Sequence, residues 1–148
     1  MDARTVTELI VAYWCAQDVE STLTLVADDV VYQLHMKQTA CPYAGATVGK
    51  EALRTAFFKL LADWDYLATD VTRVSVEGNI GKAHVQCRYH HIKSGETIDG
   101  TVMFAFKVTN GLATHIDEYH DQAKFEAFLT MVGCRGTSET APARFHLK

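Results

Sequence analysis

Val102-Met103-Phe104-Ala105-Phe106-Lys107-Val108-Thr109-Asn110-Gly111-Leu112-Ala113-Thr114-His115-Ile116-Asp117-Glu118-Tyr119-His120-Asp121 is the stretch that decides the fold. Val102, Phe104, Phe106 and Val108 fall on one face of a strand, with Met103 and Ala105 on the other. Asn110-Gly111 is the dipeptide favoured where a tight hairpin turn needs positive φ. A second alternating run follows, so the segment reads as a long antiparallel hairpin. Its far end, His115 to Asp121, packs three carboxylates, two imidazoles and a phenol into seven residues. Such a density marks either a solvated edge or the wall of a reactive pocket.

Upstream, Gly78-Asn79 and Ser94-Gly95 are further turn signals. They divide the region into strands over Tyr66–Glu77, Lys82–Lys93, Thr97–Thr109 and Leu112–Asp121, four antiparallel strands in meander order. These exceed the roughly 5–6 residues of an average strand, so the sheet must twist and curl around something. Downstream, Asp121 is placed to cap a last helix with an apolar stripe of Phe125, Phe128, Leu129 and Val132, and Gly133 is its stop. Cys134 to Lys148 has little period and reads as a tail, giving one domain over 1–132 and a tail over 133–148.

Toward the N-terminus, Thr5 and Glu8 form a capping box opening a helix whose face is Val6, Leu9, Ile10, Tyr13 and Trp14. Asp18 caps a second, short helix through about Leu25, and Asp28-Asp29 punctuates. Val30, Tyr32, Leu34 and Met36 then share the inward face of a strand, with Val31, Gln33 and His35 opposite. Gln38 to Val48 has no period and predicts a loop long enough to act as a lid. From Gly49, the spacing of Leu53, Ala56, Phe57, Leu60, Leu61 and Trp64 predicts a third helix.

The chain has 148 residues, 48% hydrophobic and 22% charged, which suits one core. A net charge of -4 with no Lys/Arg cluster offers no footprint for nucleic acid or an anionic membrane. No apolar run approaches the ~20 residues that span a bilayer, and the N-terminus leads into an amphipathic pattern, so a cytoplasmic protein is expected. Cys15, Cys41, Cys87 and Cys134 lack paired spacing and read as free thiols.

Helix, helix, strand, helix, four-stranded meander and closing helix resembles the α+β cone shared by nuclear transport factor 2, ketosteroid isomerase, limonene epoxide hydrolase and SnoaL-like polyketide cyclases. The resemblance covers about Thr5 to Val132. Ala27-Asp28-Asp29-Val30-Val31-Tyr32 resembles the family's entry into its first strand, and Gly49-Lys50-Glu51-Ala52-Leu53 its helix opening. Glu118-Tyr119-His120-Asp121 resembles the acid-Tyr-x-Asp ending of its last strand. The implied structure is a strongly curved antiparallel sheet with three to four helices enclosing an apolar pocket.

The resemblance also bears on chemistry, residue by residue. Ketosteroid isomerases carry an acid, a tyrosine and a second acid where this chain has Leu34, Ile10 and the neighbourhood of Phe104, so that triad is not present. Limonene epoxide hydrolase is similar at Tyr32-Gln33 and at Glu118, but its water-holding Asn falls at Leu34. SnoaL-like cyclases use a last-strand acid that needs fewer partners.

Alternation sets Ile116, Glu118 and His120 against Asp117, Tyr119 and Asp121 without orienting either group; the resemblance turns the Glu118 face inward. A carboxyl group withdrawn from water there suits acid–base work. The catalytic candidates are Glu118 as proton carrier, Tyr32 orienting a ligand oxygen, and His120 as assistant. Candidate ligand contacts are Trp14, Leu34, Met36, Phe57, Cys87, Tyr89, His91 and Ile116, while His35, His84 and Arg88 fall on opposite faces. Asp121 is first a helix cap. Adjacent His90-His91 point to opposite sides of a strand and no helical His-x-x-x-His exists, so no metal is expected, and no cofactor.

The expected function is therefore a cofactor-independent acid–base enzyme of isomerase, cyclase, dehydratase or hydrolase type, acting on a small hydrophobic molecule. The alternative is a non-catalytic binding protein of the same fold. The resemblance further implies a homodimer through the outer sheet face.

Overall fold

The computed structural model describes residues 1–37 and 44–133. Its elements in chain order are α1 (Ala3–Cys15), α2 (Val19–Leu23), β1 (Val26–His35), β2 (Gly45–Val48), α3 (Lys50–Asp63), β3 (Trp64–Glu77), β4 (Ile80–His91), β5 (Thr97–Thr109), β6 (Leu112–His120) and α4 (Gln122–Met131). The six strands form one sheet in the order β2-β1-β6-β5-β4-β3.

The meander β3 to β6 pairs antiparallel throughout, as the turn signals predict. At the β5–β6 turn Asn110 and Gly111 have φ of 54° and 79°, both left-handed, which matches the twist of the flanking strands. β1, however, lies parallel to β6, so the sheet is mixed rather than wholly antiparallel. Long strands and register shifts near Tyr66/Ala68, Val71/Arg73 and Lys107/Val108 supply the curl.

Several boundaries move for local reasons. Asp2 caps α1, its Oδ1 accepting from the Thr5 backbone N–H at 2.8 Å, so the helix starts two residues before the expected Thr5 cap. Asp18 caps α2 as expected, through Ser21 N–H at 3.1 Å. Asp28-Asp29 does not break the chain: it lies within β1, where the pairing with β6 shifts register between Val26 and Val31. Gly45–Val48, expected as loop, is β2, antiparallel to β1 with Tyr32 opposite Thr47. The rest of the expected lid, 38–43, and the tail from Cys134 lie outside the described residues. Trp64, placed by spacing on the third helix, is extended and opens β3.

α1 and α3 cover the concave face of the sheet. α1 buries Val6, Ile10, Val11 and Trp14 there, and α3 buries Leu53 and Phe57. From the sheet, Tyr32, Leu34, Phe104, Phe106 and Ile116 point to the same interior. Each such side chain contributes roughly 1.5–3 kcal/mol through burial. α1 crosses β4 so closely that a Cβ on Gly81 would stand 1.8 Å from Thr7 Oγ1. The interior nonetheless does not fill completely, and the remaining space lies around Glu118.

Candidate active site

Strand parity brings the site together. In the β1–β6 pair Tyr32 is opposite Ile116 and Leu34 opposite Glu118, so Tyr32 and Glu118 are diagonal neighbours on the concave face. The Tyr32 hydroxyl donates to Glu118 Oε1 at 2.6 Å. Two residues along the same face, His120 Nε2 lies 2.6 Å from Glu118 Oε2. The Glu118 and His120 side chains are each only 9% exposed. When Glu118 is ionised the proton on this second contact resides on the imidazole; when Glu118 is protonated, it is the carboxyl group that donates. The pair can therefore hold one proton in either place.

Helix α4 fixes the imidazole. Asp121 Oδ1 accepts from the Lys124 backbone N–H at 3.2 Å, which turns the chain into the helix directly after His120. Phe125 is thereby stacked on His120, centroids 5.1 Å apart and planes 16° apart.

Two cavities meet at Glu118. One is a narrow apolar cleft lined by Ile10, Val11, Trp14, Thr22, Tyr32, Phe57, Phe104, Phe106, Ile116 and Glu118. The other, somewhat roomier and with a more polar lining, is lined by Leu34, Leu60, Trp64, Tyr66, Tyr89, Glu118, His120 and Phe125. Trp14 of the first reaches Tyr66 of the second, its indole N–H donating to the phenol oxygen at 3.0 Å. Burial, and after it the Glu118 charge, raises the Tyr66 hydroxyl well above the usual phenol range. Burial does the same to Tyr89. Both phenols are thus donors rather than bases at neutral pH.

Of the sequence-predicted residues, Trp14, Tyr32, Phe57 and Ile116 line the first cavity, Leu34, Tyr89 and His120 the second, and Glu118 both. Three line neither. Met36 is buried just beyond the end of β1. Cys87 backs an open hollow with Arg88 and Asp99, and burial pushes its thiol up to about 11, so it is inert. The length of β4 carries His91 past the site, where it packs 4.8 Å from Trp64 and its Nδ1 meets Ser94 Oγ at 2.8 Å.

Sequence reasoning missed Phe104 and Phe106 as lining residues, although they pair with Glu118 and Ile116 and the hairpin register alone was sufficient to find them. Tyr66 and Trp64 were missed because spacing ended the helix at Trp64 and left Tyr66 at the first position of a strand. His35 lies on the convex face as expected, with Nε2 2.7 Å from Asp117 Oδ1 and its ring stacked on Tyr119 at 4.2 Å. Among the described residues no three His, Cys, Asp or Glu side chains group as a metal-ligand set.

Solved structures share this architecture. An NTF2-like protein of Burkholderia xenovorans superposes with a TM-score of 0.70 at 17% identity, covering 84% of this chain and 93% of that one. A Mesorhizobium loti protein provisionally named a SnoaL-like polyketide cyclase gives 0.69 at 20% identity, covering 80% and 99%. A Catenulispora acidiphila protein of ketosteroid isomerase-like fold, in complex with trimethylamine, gives 0.68 at 13% identity, covering 81% and 88%. These likenesses show the fold alone. No curated protein matches the chain. The model of the SnoaL-like domain matches residues 6–116, from α1 into β6 and short of Glu118, His120 and Phe125, and the chain belongs to that family.

Proposed function

We propose that the two cavities form the active site of a cofactor-independent acid–base enzyme acting on a small, mostly apolar molecule, by isomerisation, cyclisation, dehydration or hydrolysis. One observation carries the reading. Glu118 is buried at the junction of two largely apolar cavities, and both of its carboxyl oxygens are held at 2.6 Å. A carboxylate oriented in this way, in contact with ligand space, is equipped to take and return a proton.

Each neighbour then has a role. Glu118 takes the proton; the electron pair of the broken C–H or O–H bond stays on the ligand. His120 can pass that proton on, because its Nε2 shares the contact with Oε2. Tyr32 spends its O–H on Glu118 and therefore orients the carboxyl group rather than a ligand oxygen, which revises the part its position in sequence suggested. The apolar walls exclude water and favour an apolar ligand body. The names given to fold neighbours, cyclase among them, agree with this class of chemistry.

The test follows a proton. 1-Indanone, an apolar ketone, is incubated with the protein in D2O, and loss of the protons next to its carbonyl is followed by NMR. The protein is expected to accelerate exchange, and Glu118→Gln to reduce the acceleration by about 100-fold or more. A Glu118→Gln variant exchanging at the wild-type rate would sink the assignment.

We also infer a homodimer through the convex sheet face, where Met103, Ala105 and the exposed Tyr119 lie among polar neighbours.

A further inference from the structure

Because Tyr32 is committed to Glu118, the site needs another group to hold a polar atom of its ligand. Tyr66 is placed for that. It stands at the start of β3 and lines the cavity that contains Glu118 and His120. Its oxygen accepts from the Trp14 indole, which is a donor only. The phenol proton therefore has to go elsewhere, and among the described residues no acceptor takes it.

Packing fixes where the phenol stands. Its ring is edge-on to Trp14 at 5.7 Å and to Tyr89 at 5.1 Å, so it cannot swing out without opening both contacts. Accepting a hydrogen bond also polarises the hydroxyl and makes it a better donor. Tyr66 is half-buried at the cavity wall, and a donor shielded from water and left unpaired costs free energy that a ligand acceptor removes. Of the other walls of this cavity, Leu34, Leu60, Trp64 and Phe125 are apolar, and the second phenol, Tyr89, is engaged with the Cys87 thiol.

We propose that Tyr66, held by Trp14, is the ligand-selecting donor of this site, and that the ligands it admits are apolar molecules carrying a carbonyl-type acceptor oxygen. The oxygen is received at Tyr66 while the adjoining carbon framework lies toward Glu118. A hydrocarbon of the same shape leaves the phenol unpaired and is disfavoured, the asymmetry by which buried polar groups confer selectivity. This deepens the acid–base reading and rests on the same cavity, but it requires no turnover.

The experiment compares 1-indanone with indane, equal in shape apart from the carbonyl. Binding is read from the fluorescence of Trp14 and Trp64, which line the two cavities. The hydrogen bond is read from the infrared carbonyl band of bound 1-indanone. Wild type is expected to prefer the ketone by up to about tenfold and to shift its band to lower frequency. Tyr66→Phe should lose both the preference and the shift while binding indane as wild type does, which shows that the cavity is intact. A shifted band retained in Tyr66→Phe, or equal affinity of wild type for the two compounds, overturns the proposal. If the band behaves as expected but wild type catalyses no deuterium exchange, the proton-transfer reading fails and the donor assignment stands. If wild type binds neither compound, both fail together.

Discussion

One step of strand parity separates Asp117 from Glu118 and gives them different chemistry. Asp117 meets His35 on the convex face, where both side chains stay more than a third exposed, whereas Glu118 is 7% exposed among apolar walls. Charge pairing in the first setting is screened and worth little; in the second the same functional group is held by short hydrogen bonds. His91 shows burial acting on another titratable group. Desolvation lowers its imidazole from the ordinary 6.5, with Asp63 opposing and Lys93 and His90 adding to the shift. The unfolded chain therefore binds this proton more readily than the folded one. Stability from His91 is complete above about pH 6.5 and is lost as pH falls from there through the lowered folded value. Urea midpoints measured between pH 7.5 and 5 are expected to fall, and His91→Gln, which cannot titrate, should flatten that part of the curve. An unchanged slope in His91→Gln would remove His91 as the cause.

Among the elements, the closest constraint is where α1 crosses β4. A methyl group on Gly81 would meet Thr7 Oγ1 at 1.8 Å, Thr7 Cβ at 2.9 Å and the Ala3 carbonyl oxygen at 3.2 Å. Gly81→Ala is therefore expected to cost roughly 1–3 kcal/mol of stability, the range for overpacking a filled interior. Thr7 Oγ1 is buried without a partner among the described residues, so Thr7→Ala alone should cost little. The double variant should recover part of the loss, because the nearest clashing atom is gone. Additive losses in a double-mutant cycle would show that backbone, not Thr7, sets the spacing. Elements also differ in how they were legible. The hairpin β5–β6 and the stripe of α3 repeat a period over many residues, so local pattern sufficed. β2 has four residues and exists only because β1 offers it an edge. The start of α1 went to Asp2 because two capping arrangements compete locally, and the longer helix buries Ala3 against the core.

At the scale of the whole molecule, the proposed dimer would use the convex face. Ala105 lies near the middle of that face, paired with Lys82 on one side and Asp117 on the other. If a second copy covers it, Ala105→Glu places two like charges near each other on assembly and should weaken the dimer at least tenfold, read by sedimentation velocity over a concentration series. A monomer in wild type at every concentration would sink the dimer reading. The order of elements apart from β2, the inward parity of Tyr32 and Leu34, the shared face of Val102, Phe104 and Phe106, and the Asp18 and Asp121 caps followed from the sequence by itself. Periodicity and capping are local physics and need no partner to be read. Which face of β6 turns inward, the parallel docking of β1 on β6, and the convergence of Trp14, Tyr66, Tyr32 and His120 on Glu118 were decided by tertiary structure alone. Alternation is symmetric between two faces, and only the side on which α1 and α3 pack breaks that symmetry. Trp14 and Tyr66 are 52 residues apart in the chain, and no local pattern records that one would donate to the other.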